Sequence, residues 1–263
     1  MPSITHVIVD FDGTCTTFDT TPLIPHLTSP TTESLKEFAA FEQVFVDRSL
    51  ACQASLDLDG VPSPGPDIPG LERALAALDD VSNDVIEQVS AKGVLAGMEE
   101  GAVAATIAAW RAEPSSSPGA LPAVRPGVEA TLADALTRGS KLAVLTLNWC
   151  PPLLHALLPV LQHKDVQMFS NDIDAAGVIQ NKIRGALDKR AVISQIIAEA
   201  RKEDAEPSVL YVGDSSTDLL ALLEADVGIL IGESNSARKI ARRFGLQLQP
   251  LPDEGFAARA LVS

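Results

Sequence analysis

The sequence predicts an α/β protein: a mostly parallel sheet covered by helices on both faces and interrupted near its start by an inserted helical unit. Three observations carry this expectation. A run of β-branched residues, Val7-Ile8-Val9, stops at Asp10-Phe11-Asp12-Gly13-Thr14, as a buried strand does when its carboxyl end opens on a turn. From Arg125-Pro126-Gly127 onward, apolar strand-like runs alternate with helical patterns. Roughly a hundred residues of mostly helical sequence separate the two regions, more than an ordinary loop can hold.

The 263 residues, 46% of them hydrophobic, suffice for one sizeable core and a smaller second unit. A formal net charge of −15 argues against nucleic acid or an anionic membrane as partner, because both would repel the chain. A small phosphorylated metabolite is compatible, provided a bound cation offsets the protein's own field. The longest apolar runs, such as 102–110, fall short of the roughly 20 residues of a membrane helix. Met1-Pro2-Ser3-Ile4-Thr5-His6 leads into the first strand without a basic leader pattern. Cys15, Cys52 and Cys150 show no metal-like pairing, which suits a reducing compartment, so a soluble protein of the cytoplasm is expected.

In chain order, the stretch 15–22 is polar and turn-rich. From 31 to about 50 the pattern is helical, with Phe38, Phe41, Phe45 and Val46 on one face, a stripe that reads as core. The segment 61–70 contains Pro62, Pro64, Pro66 and Pro69 and reads as a loop, since proline removes donors and fixes φ. Short helices are expected at 71–78, 84–95 and 99–110, and a flexible connector at 114–119. The inserted unit is thus expected over 18–121, and the sheet domain over 1–17 and 122–263. There, Pro126 and Gly139 bracket a helix in the usual order, proline in its first turn and glycine past its end. A second strand, 141–146, ends in the hydroxyl of Thr146. A helix from Pro151 to about 163 and a strand at 166–169 follow. The alternation around 173–183, with Asp174-Ala175-Ala176-Gly177 as turn, predicts a hairpin. The segment 188–202 is an amphipathic helix with Val192, Ile193, Ile196 and Ile197 on one side. The strand 209–212 again ends in acid, Gly213-Asp214-Ser215-Ser216-Thr217-Asp218. A helix, a strand at 227–231 and a helix from about Asn235 complete the alternation.

If these strands are neighbours in one parallel sheet, their polar ends converge on one crevice. The groups are Asp10 and Asp12, Thr146, Asp214 and Asp218, with Lys189 opening the helix ahead of the last of these strands. The carboxylates form an oxygen-rich set suited to Mg²⁺, which binds through few carboxylates plus substrate phosphate. Asp10, Asp12, Asp214 and Asp218 are the expected metal residues, Asp218 acting more as a support for Asp214. Asp10 can attack phosphorus to give an aspartyl phosphate. Asp12 can protonate the leaving oxygen and later deprotonate water, and Thr146 and Lys189 can stabilise phosphoryl oxygens. Lys182 competes with Lys189 but falls in the hairpin. Asn148 and Trp149 divide evenly between substrate contact and core. Arg238, Lys239, Arg242 and Arg243 read as solvent-exposed charges late in a helix, and Cys15 and Cys150 as small buried filler.

Asp10-Phe11-Asp12-Gly13-Thr14, Leu145-Thr146, Lys189 and the string 213–218 resemble, in order, the four motifs of the haloacid dehalogenase-like (HAD) superfamily of phosphatases. The match covers 6–14 and about 125–245. The resemblance implies a Rossmann-like core, Mg²⁺ and Asp10 as nucleophile, and the insertion is similar to the superfamily's helical C1-type cap. Leu145-Thr146-Leu147-Asn148-Trp149 and the string 214–232 are similar to the HAD domains of fungal proteins and of plant thiamine monophosphate phosphatases. Thiamine monophosphate or another small cofactor phosphate is the substrate that this likeness implies. Phosphoserine phosphatases are a more distant likeness, because Leu147-Asn148 stands where they carry two glycines. The expected function is Mg²⁺-dependent hydrolysis of a small phosphomonoester. A phosphomutase using the same aspartyl phosphate, or a non-catalytic metal-binding regulatory protein, is the alternative. Asp12 argues against a dehalogenase, since halide departure needs no proton donor.

Overall fold

The computed structural model describes residues 4–28, 30–119, 121, 123–203, 206–232, 234–250 and 259–262. β1 (His6–Val9) is followed by the inserted α1 (Thr32–Ser55), α2 (Ile68–Lys92) and α3 (Glu100–Ala112). Then come α4 (Val128–Thr137), β2 (Lys141–Leu145), α5 (Pro151–Leu157), β3 (Val166–Phe169), the short β4 (Asp172–Ile173) and β5 (Ile179–Gln180), and α6 (Ala186–Glu203). β6 (Val209–Gly213), α7 (Leu219–Glu224), β7 (Val227–Leu230), α8 (Asn235–Arg243), β8 (Gln247–Pro250) and β9 (Arg259–Val262) complete the chain.

The main sheet has the order β3-β2-β1-β6-β7-β9-β8. Its first five strands are parallel, which is the expected Rossmann-like core. β9 and β8 add an antiparallel edge that no sequence signal announced. Side chains alternate across the sheet. Val9, Leu142 and Val144 pack with Leu132, Leu153 and Leu157, whereas Ile8, Ala143, Leu145 and Tyr211 pack with Ile193, Leu219 and Leu222. Helices therefore cover both faces. The strand order reverses at β1, so the crevice lies where β1 and its neighbours end. Val9 is level with Val144 on β2 and Val212 on β6, which brings three strand ends side by side.

The helices of the insertion differ from the expected lengths for local reasons. α1 starts at a capping box between Thr31 and Ser34 and continues to Ser55. α2 is one helix of 25 residues where the sequence suggested a loop to Gly70 and two short helices. The Asp67 side chain accepts from Gly70 N, Pro69 is tolerated in the first turn, and no glycine or proline interrupts 71–92. α1 and α2 pack side by side. α3 packs instead on α5, where Arg111 Nη1 and Nη2 donate to the carbonyls of Ala156 and Leu157, each at 3.1 Å. α5 ends at Leu157 rather than near 163, because Pro159 cannot continue it and a 3-10 turn follows. The hairpin β4–β5 is present, its turn held by Asp174 Oδ1, which accepts from the amides of Ala176 and Val178.

Three of the four basic residues of α8 have structural partners rather than open solvent. Arg243 donates to the carbonyls of Asp57 and Val61, each at 3.0 Å, Lys239 pairs with Asp59, and Arg238 donates to Gly232 O. Lys239 and Arg242 are exposed, whereas Arg238 and Arg243 are half-buried.

Candidate active site

The site grows from the first residue beyond β1. Asp10 is buried, and its N–H donates to Val212 O at 2.9 Å, so its backbone is still tied to β6. Lys189, in the first turn of α6, is 1% exposed. Its Nζ lies 2.8 Å from Asp10 Oδ1 and 2.8 Å from Asp218 Oδ1. Asp214, the first residue after β6, joins through Thr14, whose hydroxyl is 3.1 Å from Asp214 Oδ1 and 3.4 Å from Asp10 Oδ2. One oxygen from each of Asp10, Asp214 and Asp218 lies within 4.8 Å of the others. Lys182 is exposed just beyond the hairpin; Lys189 is the lysine that reaches the carboxylates.

The three carboxylates are not equivalent. Asp218 Oδ1 accepts from Lys189 and from the Tyr211 hydroxyl at 2.6 Å, and Oδ2 accepts from Asp214 N, Ser215 N and Ser215 Oγ. A carboxylate offers about four lone-pair sites, so Asp218 has none left for a metal and instead orients Lys189 and the turn after β6. Asp10 and Asp214 retain acceptor capacity. Gly13 makes their approach possible. Its φ is +71°, and a Cβ there would lie 2.3 Å from Asp214 Oδ2. The carbonyl of Gly13 accepts from Arg125 Nη2 at 2.7 Å and Nε at 3.2 Å, which fixes the turn from outside.

The electrostatics follow from burial. Burial pulls the Lys189 ammonium toward neutrality, but Asp10 and Asp218 outweigh it and hold the amine protonated. Burial likewise opposes ionisation of Asp218, yet Lys189 and the hydrogen bonds around it keep this carboxyl below its usual value. Asp10 carries the excess: burial, with Asp218 and Asp214 close by, pushes it well above the ordinary range against the pull of Lys189. Asp214 is raised to about 6 by burial and then by Asp218. Three carboxylates facing one ammonium leave two negative charges unbalanced, the charge of one divalent cation. An all-oxygen donor set with that deficit fits a hard divalent cation.

Asp12 departs from the expected metal set and lies outside this group. Residues two apart on an extended strand point to one side, which would aim Asp10 and Asp12 at one ion, but β1 ends at Val9 and the chain turns over 12–15. The Asp12 carboxylate therefore faces Thr20 and Asn148: Oδ1 accepts from Thr20 N at 2.8 Å, and Oδ2 from Asn148 Nδ2 at 2.7 Å. Burial, then Asp19, raises it to about 6. Asn148 is buried, bonded also to Thr20 Oγ1 and Cys150 N, so it is the holder of Asp12. Thr146, following β2, is buried at the cleft floor, where its Oγ1 accepts from Asn148 N at 3.2 Å.

Thr14, Thr20, Arg125 and Tyr211 escaped the sequence reading as site residues. Thr14 stood inside the motif string and could have been taken up. Arg125 read only as a lead-in to a helix, and Tyr211 as a strand residue. Cys15 and Cys150 are buried, unpaired thiols; burial pushes both up, Cys150 to about 12.

Above the carboxylates opens a cleft of about 720 Å³. Its far wall is apolar, with Phe18, Phe41, Phe45 and Val46 on one side and Ile86 and Val89 on the other. The phenylalanine stripe of α1 therefore faces this space and not only a core; Phe38 is buried, but Phe45 is 40% exposed. Trp149 lines the same cleft while packing on the core. Set into the apolar wall are two acids, Asp19 and Glu42, and burial followed by Asp19 raises the Glu42 carboxyl. Among the described residues, no helix is long and apolar enough to cross a membrane.

Comparison with known protein-family models finds no match. Among curated proteins, the chain is 24% identical over 273 residues to the Bifunctional TH2 protein, mitochondrial, of Arabidopsis thaliana. The alignment covers 93% of this chain and 42% of that protein, so the chain spans less than half the length of this relative. Solved structures similar to it include phosphoserine phosphatase as a phospho-aspartyl intermediate analogue, with a TM-score of 0.48 and 14% identity, covering 85% of this chain and 84% of that one. They also include a HAD family hydrolase from Salmonella enterica subsp. enterica serovar Typhi, with a TM-score of 0.48 and 16% identity, covering 90% and 65%.

Proposed function

We propose that the chain is a Mg²⁺-dependent phosphatase that hydrolyses a small-molecule phosphomonoester through an aspartyl phosphate on Asp10. The observation that carries this reading is the meeting of Asp10, Asp214 and Asp218 around Lys189 at the ends of adjacent parallel strands. In the first step a carboxylate oxygen of Asp10 attacks phosphorus, the ester P–O bond breaks, and Asp12 gives its proton to the departing alkoxide. In the second, Asp12 takes a proton from water as the water oxygen attacks phosphorus. The bond between Asp10 and phosphorus breaks, and inorganic phosphate leaves. A carboxyl at about 6, pinned by Thr20 and Asn148, suits Asp12 to both halves near neutral pH. Lys189 uses two of its three N–H groups on Asp10 and Asp218, which leaves one for a phosphoryl oxygen beside the Thr146 hydroxyl. Mg²⁺ held by Asp10 and Asp214 would supply charge neutralisation and polarise the phosphoryl group.

In this reading residues 18–121 are the lid, α1 and α2 forming the wall that meets the organic part of the substrate. Aromatic side chains interspersed with the acids Asp19 and Glu42 suit an alcohol that is aromatic and positively charged. Thiamine monophosphate, the molecule implied by the likeness of the second motif region, has that character. Three unpaired cysteines support a reducing compartment such as the cytoplasm.

The test is phosphate release from p-nitrophenyl phosphate, thiamine monophosphate and a panel of metabolite monoesters, with Mg²⁺ or with EDTA. Release is expected only with Mg²⁺ and is expected to fall at least about 1,000-fold in Asp10→Asn. Glu42→Gln should raise KM for thiamine monophosphate while leaving p-nitrophenyl phosphate unaffected. A panel from which no Mg²⁺-dependent phosphate is released would overturn the reading.

A further inference from the structure

We infer that Asp79, on the inserted helix α2, is a positioning residue: it caps the N-terminus of α6 from outside and so ties the placement of Lys189 to the docking of the insertion. The inference rests on the proposed function only in treating Lys189 as part of a phosphoryl site.

A helix leaves its first N–H groups without internal partners, and a polar side chain on the residue before the helix ordinarily accepts from them. α6 has no such side chain, because the residue before it is Gly185, whose carbonyl accepts from Lys189 N at 3.0 Å. Asp79 fills the role from another part of the chain, its Oδ2 accepting from Ala186 N at 2.9 Å. The carboxyl group occupies the space a capping side chain would take. A Cβ on Gly185 would lie 2.0 Å from Asp79 Cγ and within 2.3 Å of both its oxygens. Asp188 accepts from Arg184 N at 2.7 Å, which leaves Ala186 N to Asp79 among the described residues.

The contact belongs to a seam along α2. Leu71 and Leu75 pack with Ile193 and Ile197, and Glu72 pairs with Arg190, so Asp79 continues the face that α2 turns toward α6. One turn further, Ser82, Val85, Ile86 and Val89 of the same helix line the cleft. A single rigid helix thus touches both the space above the carboxylates and the turn that carries Lys189. The placement of the Lys189 ammonium, 2.8 Å from Asp10, follows from whether α2 is seated.

The test is amide hydrogen exchange on the whole chain without substrate, comparing Asp79→Ala, Asp79→Asn and Gly185→Ala. Asparagine still offers an acceptor to Ala186 N, whereas alanine does not, and the methyl of Gly185→Ala displaces the carboxyl without altering its chemistry. Exchange at residues 186–189 is expected to quicken about 2- to 30-fold in Asp79→Ala and Gly185→Ala. Asp79→Asn should stay within about 3-fold of the parent, and residues 198–203 should not change in any variant. Unchanged exchange at 186–189 in Gly185→Ala, or an Asp79→Asn variant as fast as Asp79→Ala, would overturn the inference. So would acceleration spread evenly along α6, which would mean lost packing instead of a lost cap. In turnover assays, Asp79→Ala should lower kcat about 10-fold at constant KM, with recovery in Asp79→Asn. The exchange result holds or fails whether or not the chain releases phosphate, so failure of this inference and failure of the phosphatase reading are separable.

Discussion

Replacing Lys189 by methionine isolates the charge at the centre of the site. The substitution keeps most of the volume of a side chain that is 1% exposed and removes the ammonium that faces Asp10 and Asp218, themselves 7% and 0% exposed at the side chain. Without it, three mutually close carboxylates remain with no buried cation among the described residues. Breaking a buried ion pair by removing one partner costs about 3–5 kcal/mol. For a chain of this size each kcal/mol moves Tm by about 2 °C, so Tm should fall by about 6–10 °C at pH 8 in EDTA. The sign of the pH dependence follows from the same charges. In the parent, Asp218 is held below its usual value, and its stabilisation is lost only as the pH falls through that depressed value. In the variant, Asp10 and Asp218 lose their counter-charge and their folded-state values rise, so protonation relieves the penalty as the pH falls. The deficit should therefore narrow between pH 8 and pH 5. Added Mg²⁺ should also recover more stability in the variant than in the parent. Urea unfolding at the two pH values with and without Mg²⁺ measures all of this. A deficit below about 1 kcal/mol at pH 8, or one that is the same at pH 5, would refute the charge argument and assign the lysine a packing role.

Mg²⁺ at 100 times its dissociation constant should stabilise the parent by about 2.7 kcal/mol, or roughly 5 °C in Tm. Thermal scans should show that shift abolished in Asp214→Asn and preserved in Asp12→Asn, since Asp12 lies outside the carboxylate group; the reverse pattern would reject the proposed ligand pair. Gly13→Ala places a methyl 2.3 Å from Asp214 Oδ2 at a φ of +71°. It should cost about 1–2 kcal/mol in urea unfolding and at least about 100-fold in turnover, and near-parental activity would contradict the close approach. Burial, opposed by the Ala186 amide, raises Asp79 from an ordinary 3.8 to about 7. Its ionisation therefore subtracts stability progressively as the pH climbs through that interval, and fully above it. Asp79→Asn should nearly match the parent near pH 4 and exceed it at pH 8 by roughly 4 kcal/mol, as read from denaturant midpoints. An equal difference at both pH values would exclude titration of Asp79 as its cause.

The sheet was legible in the sequence because β1, β2 and β6 each announce themselves twice, by an apolar run and by the polar residue that ends it. Asp10, Thr146 and Asp214 sit at such ends, and adjacency in the sheet does the rest. The reading weakened wherever a side chain's role depends on what lies opposite. The phenylalanine stripe of α1 marked a face that avoids water, but helical periodicity carries no information on whether that face meets a core or an apolar cleft. Asp12 failed the two-residue rule because that rule holds only while the chain stays extended, and the turn beginning at residue 12 was itself readable from Gly13. The interruption expected within α2 was inferred from weak local patterns, whereas the helix packs on both α1 and α6.

Asp79 and Gly185 show why such pairs escape a reading made one segment at a time. Alone, the acid is one more charge on an acidic helix and the glycine one more turn residue. Their meaning is the 2.0 Å that a Cβ would leave between them. The same holds for Tyr211 with Asp218 and for Arg125 with Gly13 O, where one half of each pair looks like scaffold. Residues that hold catalytic groups need complementary geometry but no distinctive chemistry of their own. Local pattern therefore finds the carboxylates first and the groups that aim them only once the chain is folded. That asymmetry puts the more informative substitutions at Asp79, Gly185 and Tyr211, since altering Asp10 or Asp214 tests whether chemistry occurs, and altering their holders tests how the fold enforces it.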